Sequence, residues 1–311
     1  MKLKILGSAA GGGFPQWNCV CANCSGLREG RIRAKARSQT QIALSPDNQV
    51  WFLVGASPDL RWQIVSSPGF TPRGDGAGRS PIVGLFLPSA DVDSVMGLLH
   101  LREFENFVIF ATAPVGRILR SENRIFSVLE RAHPPVEWRI LSTKSRLGCQ
   151  IEDAQNESRS FTCTTIPLGG SFPDYASEEF RRSTPADEAT VGVLFEQNGK
   201  SVFIAPSVPG KEASWRRIAS SANVALLDGT FWSDDELIRT GRSSKTAREM
   251  GHLPLSGSDG LLAQFPADAA ARKILVHINN TNPILNEESE EHREVLKAGF
   301  EIAYDGMDIC L

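Results

Sequence analysis

The chain has 311 residues, of which 41% are hydrophobic and 22% are charged, and its formal net charge is −3. This composition is typical of a globular protein that is long enough to bury a sizeable core. The near-neutral charge provides no basic surface for nucleic acid or an anionic membrane, so neither is expected as a partner. No apolar run approaches the roughly 18 residues that a membrane-spanning helix needs.

The first residues, MKLKILGSAAGGGF, combine two lysines with a short apolar patch, as a signal peptide does. Gly7 and Ser8 interrupt this patch, so we interpret it as a first strand that enters a glycine-rich loop. The glycines do not follow the G-x-G-x-x-G spacing of a dinucleotide-binding loop. We therefore expect a cytoplasmic protein with reduced cysteines.

Short β-rich runs alternate with helical patches along the chain. The predicted strands are Lys2–Gly7, Thr40–Leu44, Val50–Val54, Ile82–Leu87, Phe107–Ala111, Glu137–Leu141, Ser160–Ile166, Thr190–Glu196, Ser201–Ala205, Val224–Leu227, Lys273–His277 and Glu301–Tyr304. The predicted helices are Leu60–Val65, Val92–Leu101, Arg117–Arg131, Ala213–Ser221, Asp234–Arg239 and Glu290–Ala298. Asn198 and Gly199 predict a two-residue hairpin turn. This mixture of hairpins and strand–helix crossovers favours two β-layers with outer helices over a single parallel sheet.

The sequence WNCVCANCSG places Cys19, Cys21 and Cys24 within six residues. Three thiolates at this spacing can converge on one ion, and zinc prefers four sulfur or nitrogen ligands, so a fourth ligand must come from elsewhere. The alternative is a loop of three buried thiols without a metal, which would be reactive and easily oxidised. We therefore predict a zinc site in this loop.

Two of the five histidines and one aspartate lie where functional residues are common. His277 ends the apolar strand KILVH before the polar turn INNTNP, and His252 lies in the Gly/Pro-rich stretch MGHLPLSG. Asp228 ends a buried strand, where a carboxylate is costly unless it is paired or bound to a metal. The histidines that we expect at the surface are His100, His133 and His292.

A compact acidic turn follows the predicted strand Ile82–Leu87. Its polar residues are Ser89, Asp91, Asp93 and Ser94, and it contains no histidine. Many hydrolases place metal-binding histidines at a turn of this kind. The turn is therefore a metal site, a metal site that has been lost, or an ordinary start of a helix.

Several segments together resemble the coenzyme PQQ synthesis protein B family. The resemblance is carried, in order along nearly the whole chain, by GSAAGGGFPQWNCVCANC, ASPDLR, DVDSVMGLLHLRE, LLDGTFWSDDELI, KTAREMGHLP and VHINNTNPIL. It implies one metallo-β-lactamase-like domain over residues 1–311, with an αββα sandwich. It also implies a part in making pyrroloquinoline quinone (PQQ) from a crosslinked Glu–Tyr precursor.

The same resemblance implies two metal sites. The structural zinc would be held by Cys19, Cys21, Cys24 and His277. The catalytic residues, at a second site for iron or substrate, would be Asp91, Asp93, Asp228 and His252. Family members usually have histidine at the position of Ser94, and serine is a poor ligand for iron. We therefore expect this second site to be degenerate and to bind iron weakly.

Two functional hypotheses follow from the resemblance. The protein is either a metal-dependent hydroxylase of a tyrosine-derived precursor or a non-catalytic carrier of PQQ or its precursor. A divergent protein that serves another modified peptide is a third possibility. The expected partner is a small-molecule quinone or precursor, and a homodimer is left open. The candidate substrate-binding residues are Arg61, Arg73, Arg79 and Ser94, because guanidinium groups pair bidentately with carboxylates.

Overall fold

The structure is a computed structural model. It describes residues 1–72, 80–103, 107–131, 135–144, 147–149, 160–209, 214–265 and 271–311. Arg73, Arg79 and His133 lie outside these residues, so the predictions made for them stay predictions.

The described residues form strands and short helices in alternation. The strands are β1 (Lys2–Gly7), β2 (Gln41–Ser45), β3 (Trp51–Val54), β4 (Ile82–Leu87), β5 (Val108–Ala111), β6 (Glu137–Ile140), β7 (Leu147–Cys149), β8 (Phe161–Gly169), β9 (Thr190–Gln197), β10 (Lys200–Ala205), β11 (Val224–Asp228), β12 (Arg272–Val276), β13 (Phe300–Ile302) and β14 (Met307–Cys310). The helices are α1 (Ala22–Arg28), α2 (Leu60–Ser66), α3 (Val92–Val95), α4 (Ala113–Arg117), α5 (Glu178–Ser183), α6 (Ser214–Ser221), α7 (Glu236–Arg239) and α8 (Glu290–Lys297). None of the helices in the described part of the chain is long and apolar enough to cross a membrane.

The strands belong to two seven-stranded sheets. The strand order is β14-β1-β2-β3-β4-β5-β6 in the first sheet and β13-β12-β11-β10-β9-β8-β7 in the second. In the first sheet, β3, β4, β5 and β6 pair in parallel with one another, whereas the pairs β14–β1 and β2–β3 are antiparallel. In the second sheet, β10, β11, β12 and β13 pair in parallel with one another, whereas the pairs β7–β8 and β8–β9 are antiparallel. The two sheets therefore mix hairpins with parallel crossovers, as the sequence predicted.

The chain divides into two compact units. The first consists of Met1–Leu6, Gln41–Lys200 and Gly306–Leu311, and the second of Gly7–Thr40 and Ser201–Asp305. In the first unit, apolar side chains such as Leu53, Leu85 and Ile109 are fully buried in one core. Our prediction of a single domain over residues 1–311 stays a prediction.

Within the second unit, the buried strands β10 to β13 run parallel. Neighbouring strands are in register over pairs such as Leu226↔Ile274 and Asp228↔Val276. Parallel strands bring their carboxyl ends to the same edge of a sheet, where α/β proteins usually bind ligands. The carboxyl ends of β11 and β12 are therefore adjacent, although 48 residues separate Asp228 from Val276 along the chain.

Every one of the twelve predicted strands is present, with ends that differ by at most three residues. Asn198 and Gly199 have the positive φ angles, 50° and 73°, that the predicted turn requires.

The prediction of one continuous helix over Arg117–Arg131 is wrong. An α-helix covers Ala113–Arg117, and π-helical and 3₁₀ segments follow it. In the predicted helix Val92–Leu101, only α3 is α-helical and a 3₁₀ segment completes it. This 3₁₀ segment requires glycine at position 97, because a Cβ atom there would lie 2.2 Å from the Ser57 carbonyl oxygen.

Candidate metal sites

The ends of β11 and β12 bring Asp228 and His277 to one place. Gly229 follows Asp228, and its amide donates to the Val276 carbonyl oxygen at 2.7 Å. A Cβ atom at Gly229 would lie 2.9 Å from that oxygen, so this close approach requires glycine. His277 has a φ of 58°, a conformation that is uncommon for residues other than glycine and is concentrated at functional sites.

A separate loop carries His252 to the same place. The amide of Leu253 donates to the Val208 carbonyl oxygen at 2.8 Å. The amide of Val208 in turn donates to Oδ2 of Asp228, also at 2.8 Å. The loop after β10 thus connects the His252 loop to the buried carboxylate at the end of β11.

Thr230 lies at the centre of this group of side chains. Its hydroxyl oxygen is 2.6 Å from Oδ1 of Asp228, 2.8 Å from Nδ1 of His277 and 3.1 Å from Nδ1 of His252. His252 Nδ1 is also 2.9 Å from Oδ2 of Asp228. The two imidazole rings stack with centroids 5.3 Å apart and an interplanar angle of 22°. Asp228 is fully buried and Thr230 is nearly so, so this network is shielded from water.

These contacts assign the ring protons. Oδ1 of Asp228 accepts from the amide and hydroxyl of Thr230, and Oδ2 accepts from Nδ1–H of His252. The single hydroxyl hydrogen of Thr230 goes to the charged carboxylate, so its oxygen accepts from Nδ1–H of His277. Nε2 is then the nitrogen of each ring that can bind a metal. A histidine that ligates a metal normally donates its other N–H in this way.

Opposing effects set the pKa of Asp228. Complete burial acts to raise it, but the charge and hydrogen bond of His252, the charge of His277 and the hydrogen bond from Thr230 lower the pKa below its ordinary value. Asp228 is therefore held as a carboxylate, the form that orients a metal-bound imidazole.

The side chains of Asp228, His252 and His277 each offer a ligand atom within 4.8 Å of the others. Two histidines and one carboxylate are the residue types that bind iron in non-haem oxygenases. Here Asp228 accepts from Nδ1–H of His252, so it supports that imidazole from the side opposite to a metal at Nε2. This placement corrects our expectation for His277, which groups with Asp228 and His252 and not with the three cysteines. The family resemblance had implied His277 as a zinc ligand, whereas its association with Asp228 depends on the long-range pairing of β11 with β12.

The three cysteines form the second candidate metal site. The segment that leads into their loop runs beside Ile278, whose amide donates to the Ser8 carbonyl oxygen at 3.0 Å. Cys21 caps α1, with its sulfur accepting from the Cys24 amide at 3.4 Å. The sulfurs of Cys19, Cys21 and Cys24 all lie within 4.8 Å of one another. The predicted convergence of the three thiols is therefore confirmed.

The residue that contacts all three sulfurs is Asn280. Its side-chain amide nitrogen lies 3.1 Å from Cys19, 3.6 Å from Cys21 and 3.4 Å from Cys24. Asn23 on α1 fixes this position, because its amide donates to the Asn280 carbonyl oxygen at 3.1 Å. Asn280 was not among the residues predicted for this site, although it lies in the stretch HINNTNP. Its nearness to a histidine was the only signal available.

The three thiols do not have the same acidity. Burial raises the pKa of Cys24 to about 11, against hydrogen bonds from the Gln16 amide and Asn280 that act to lower it. Burial also acts to raise the pKa of Cys19, but hydrogen bonds from Cys21 and Cys24 and the charge of Arg242 lower it overall. A metal that binds here has to displace at least the proton of Cys24.

The acidic turn after β4 leads into the helix α3. Asp91 precedes α3, its Oδ2 accepts from the Ser89 hydroxyl at 2.8 Å, and its carbonyl accepts from the Ser94 amide at 2.8 Å. Neither Asp91 nor Asp93 belongs to a group of three potential metal ligands among the described residues. Arg61 is exposed on α2. The roles predicted for Asp91, Asp93, Ser94 and Arg61 stay predictions.

Comparison with known proteins identifies the fold of the chain. The model of the beta-lactamase superfamily domain matches residues 50–278. A diphosphatase of the PhnP family matches the whole chain with a TM-score of 0.65 but only 16% identity, so this similarity shows the fold alone. The chain has a metallo-β-lactamase fold.

Closer relatives match along their full length. Coenzyme PQQ synthesis protein B of Azotobacter vinelandii is 40% identical over 313 residues, covering 100% of both chains, and that of Azoarcus sp. is 39% identical with the same coverage. A crystal structure of Zn(2+)-bound PqqB from Methylobacterium extorquens matches with a TM-score of 0.88 and 36% identity, covering 100% of both chains. The chain therefore belongs to the coenzyme PQQ synthesis protein B family.

Proposed function

We propose that the protein acts in PQQ biosynthesis as a metal-dependent hydroxylase of a tyrosine-derived precursor. His252 and His277 would bind the catalytic iron through Nε2, Asp228 would orient His252 from the opposite side of its ring, and the three cysteines would hold a structural zinc. The name of its relatives supports the pathway, and the zinc-bound PqqB structure supports the zinc. The cytoplasmic location and the homodimer stay predictions.

One observation carries the hydroxylase proposal: two imidazoles and a carboxylate meet within 4.8 Å at the ends of parallel strands. The family resemblance implied a single imidazole at this site, because it placed His277 at the zinc. With two imidazoles present, serine at position 94 does not remove the ligand set. Iron bound here would supply the activation of dioxygen, a chemistry that amino-acid side chains lack.

The side chains of this chain hold and orient the two imidazoles. Asp228 and Thr230 accept the Nδ1–H groups of His252 and His277, and so direct Nε2 of each ring toward a metal. Burial of Asp228 and Thr230 excludes water from the side of the rings that faces away from the metal. Both imidazoles are thus held in place before metal or substrate binds, which lowers the cost of binding.

The proposed substrate is anionic, and an exposed arginine is suited to its recognition. A Glu–Tyr precursor and PQQ both carry carboxylates, which guanidinium binds with two parallel hydrogen bonds. Arg61 lies at the start of α2 with its side chain exposed. We assign it, with Arg73 and Arg79, to binding of the substrate carboxylates.

Turnover with labelled oxygen tests the proposal. Protein purified without oxygen and loaded with iron is mixed with a tyrosine-containing precursor peptide, a chemical reductant and ¹⁸O₂, and the product is analysed by mass spectrometry. The reductant supplies the two electrons that reduce the second oxygen atom to water. We expect label in the product from wild type and from His100→Ala, an exposed control, and none from His277→Ala. Wild type that holds one iron and yields no labelled product would contradict the hydroxylase assignment.

A carrier function is the second candidate, and the acidic turn favours it. That turn has serine at position 94, and its Asp91 carboxylate is hydrogen-bonded to Ser89. A carrier would bind PQQ tightly and would leave every tyrosine precursor unchanged. Calorimetry with PQQ, run beside the oxygen-labelling experiment, separates the two candidates.

A further inference from the structure

One short turn, residues 277–282, contacts both candidate metal sites. At its start, Nδ1 of His277 lies 2.8 Å from the Thr230 hydroxyl oxygen. Three residues later, the side-chain nitrogen of Asn280 lies 3.1 Å from the sulfur of Cys19. Residues so close along the chain move together when the backbone between them is held in one conformation. A rearrangement at the cysteines therefore reaches His277 through a turn that is stiff.

Hydrogen bonds at several points make the turn stiff. The Asn279 amide donates to the Thr230 carbonyl oxygen at 3.1 Å, and the Asn282 amide donates to the Asn279 carbonyl oxygen at 3.0 Å. The Asn279 side chain donates to the Thr281 hydroxyl oxygen at 2.6 Å, and that hydroxyl donates to the Glu236 carboxylate. The turn is therefore held as one unit against the residues around it.

Asn282 joins the turn to the end of β11. Its side chain is fully buried, and its amide nitrogen lies 2.9 Å from the Gly229 carbonyl oxygen and 3.2 Å from that of Thr230. Its amide oxygen accepts from the Ile284 amide at 3.1 Å. A primary amide has two hydrogens, so both of its donor groups are used. Asn282 therefore fixes the segment whose Asp228 and Thr230 accept the Nδ1–H groups of the two histidines.

Asn23 joins the same turn to the cysteines. It lies on α1 between Cys21 and Cys24. Its side-chain nitrogen donates to the carbonyl oxygens of Asn280 and Asn282, at 3.1 and 2.9 Å. A path of hydrogen bonds therefore runs from α1, through Asn23 and Asn282, to the residues that hold the candidate iron site.

A metal at the cysteines would order this end of the path. The helix α1 has seven residues, and an isolated helix shorter than about 12–15 residues is marginal in water. The three cysteines are free thiols, so no disulfide holds their loop closed. Zinc bound to all three would crosslink the loop and order Asn23 with it. A second metal then binds to histidines that are already held in place, at a lower entropic cost.

We infer that the two metal sites are coupled, so that zinc at the cysteines raises the affinity of His252 and His277 for iron. Asn23 and Asn282 are the positioning residues through which the coupling acts. This inference rests on the proposed zinc and iron sites. Coupling between two sites typically changes affinity about 5–150-fold, and it is reciprocal. Iron at the histidines therefore raises the affinity of the cysteines for zinc by the same factor.

Iron titration of four proteins, each with and without zinc, tests the inference. They are wild type, Asn23→Ala, the control Asn18→Ala and the double variant His252→Ala/His277→Ala. Each is titrated with Fe²⁺ by anaerobic calorimetry, once with one equivalent of zinc and once after a chelator has removed the zinc. Asn18 is an exposed asparagine of the cysteine loop, and its side chain accepts from Gln16 at 2.8 Å. Iron that binds to the double variant is bound away from the histidines and is subtracted.

We expect zinc to lower the Kd for Fe²⁺ about 5–150-fold in wild type and in Asn18→Ala. Asn23→Ala should keep its zinc, because it retains the three cysteines, but zinc should change its Kd for Fe²⁺ by a smaller factor. The Ala10 amide also donates to the Ile278 carbonyl oxygen at 2.9 Å, so part of the coupling should survive. A substitution that only weakens the fold would change both affinities and leave their ratio as in wild type.

Equal Kd values for Fe²⁺ with and without zinc in wild type would overturn the inference alone. A wild-type ratio in Asn23→Ala would overturn the role of Asn23. Wild type that binds no zinc or no iron would overturn the proposed site as well as the inference. Circular dichroism verifies that each form is folded. If zinc-free protein does not fold, zinc-loaded Asn23→Ala should still bind Fe²⁺ about 5-fold more weakly than zinc-loaded wild type, and equal affinity would overturn the inference.

Discussion

The hydroxyl oxygen of Thr230 lies 2.8 Å from Nδ1 of His277. The same hydroxyl donates to Asp228 at 2.6 Å, so a buried negative charge acts on His277 through Thr230. This contact selects the ring tautomer in which Nδ1 carries the hydrogen and Nε2 has the lone pair. Thr230 is thus a positioning residue for the candidate iron site.

Removal of this hydroxyl should change the tautomer of His277. In Thr230→Val the ring loses its acceptor at Nδ1, so ¹⁵N NMR of labelled histidines should show a mixture of the two tautomers. Stability should fall by about 1–3 kcal/mol, because Asp228 loses a buried hydrogen bond. Thr230→Ser retains the hydroxyl and should keep the wild-type tautomer. Identical ¹⁵N shifts of His277 in wild type and Thr230→Val would contradict this role.

Loss of one cysteine ligand should release zinc. Cys21→Ser replaces a thiolate by a weak ligand, and the binding energy of a structural zinc contributes directly to folding. We expect less than one zinc per chain and a lower Tm, measured by elemental analysis and calorimetry. Cys310→Ser removes an exposed cysteine and should leave both quantities unchanged. A Cys21→Ser protein with full zinc content would show that this thiol is not a ligand.

Loss of the Arg61 guanidinium should weaken binding of PQQ. A bidentate hydrogen bond between charged groups contributes about 1.5–3 kcal/mol, so Kd for Arg61→Ala should rise by roughly 10-fold or more. Calorimetric titration with PQQ measures it. The control is Arg293→Ala, an exposed arginine on α8 that should bind PQQ as wild type does. Equal affinity in Arg61→Ala and wild type would remove Arg61 from the binding site.

Glu236 should make stability depend on pH. Burial raises its pKa from the ordinary 4.5 to about 6, against hydrogen bonds from Thr281 and the Trp232 amide that act to lower it. The folded protein therefore binds this proton more tightly than the unfolded chain does. The resulting stabilisation is complete below pH 4.5 and is lost as the pH rises through about 6.

Comparison with Glu236→Gln isolates this effect. Between about pH 4.5 and pH 7, wild type should lose on the order of 2 kcal/mol of unfolding free energy relative to Glu236→Gln. Urea unfolding at a series of pH values gives both curves. Parallel curves would show that the folded protein does not raise the pKa of Glu236.

The sequence predicted the strands well because each is a short, apolar, β-rich run bounded by turn residues. It missed β7 and β14, which have three and four residues and carry little pattern of their own. It also missed α1, whose buried residues are Cys24 and Gly26, so no apolar stripe marks it as a helix. Element type could thus be inferred where the hydrophobic pattern was strong.

The candidate site was only half predictable for a different reason. Cys19, Cys21 and Cys24 are close in sequence, so their spacing revealed them. The association of Asp228 with His277 depends on the pairing of β11 with β12, and Thr230 and Asn280 act through contacts that spacing cannot show. A threonine and an asparagine in polar loops are common, so sequence alone gave no reason to select them.

Metal content of protein purified without oxygen tests the central claim most directly. Wild type and His252→Ala/His277→Ala are each loaded with zinc and iron, passed through a desalting column and analysed for both metals. We predict one zinc and one iron per chain in wild type, and one zinc with little iron in the double variant. Equal iron in both proteins, or no iron in wild type, would contradict an iron site at Asp228, His252 and His277.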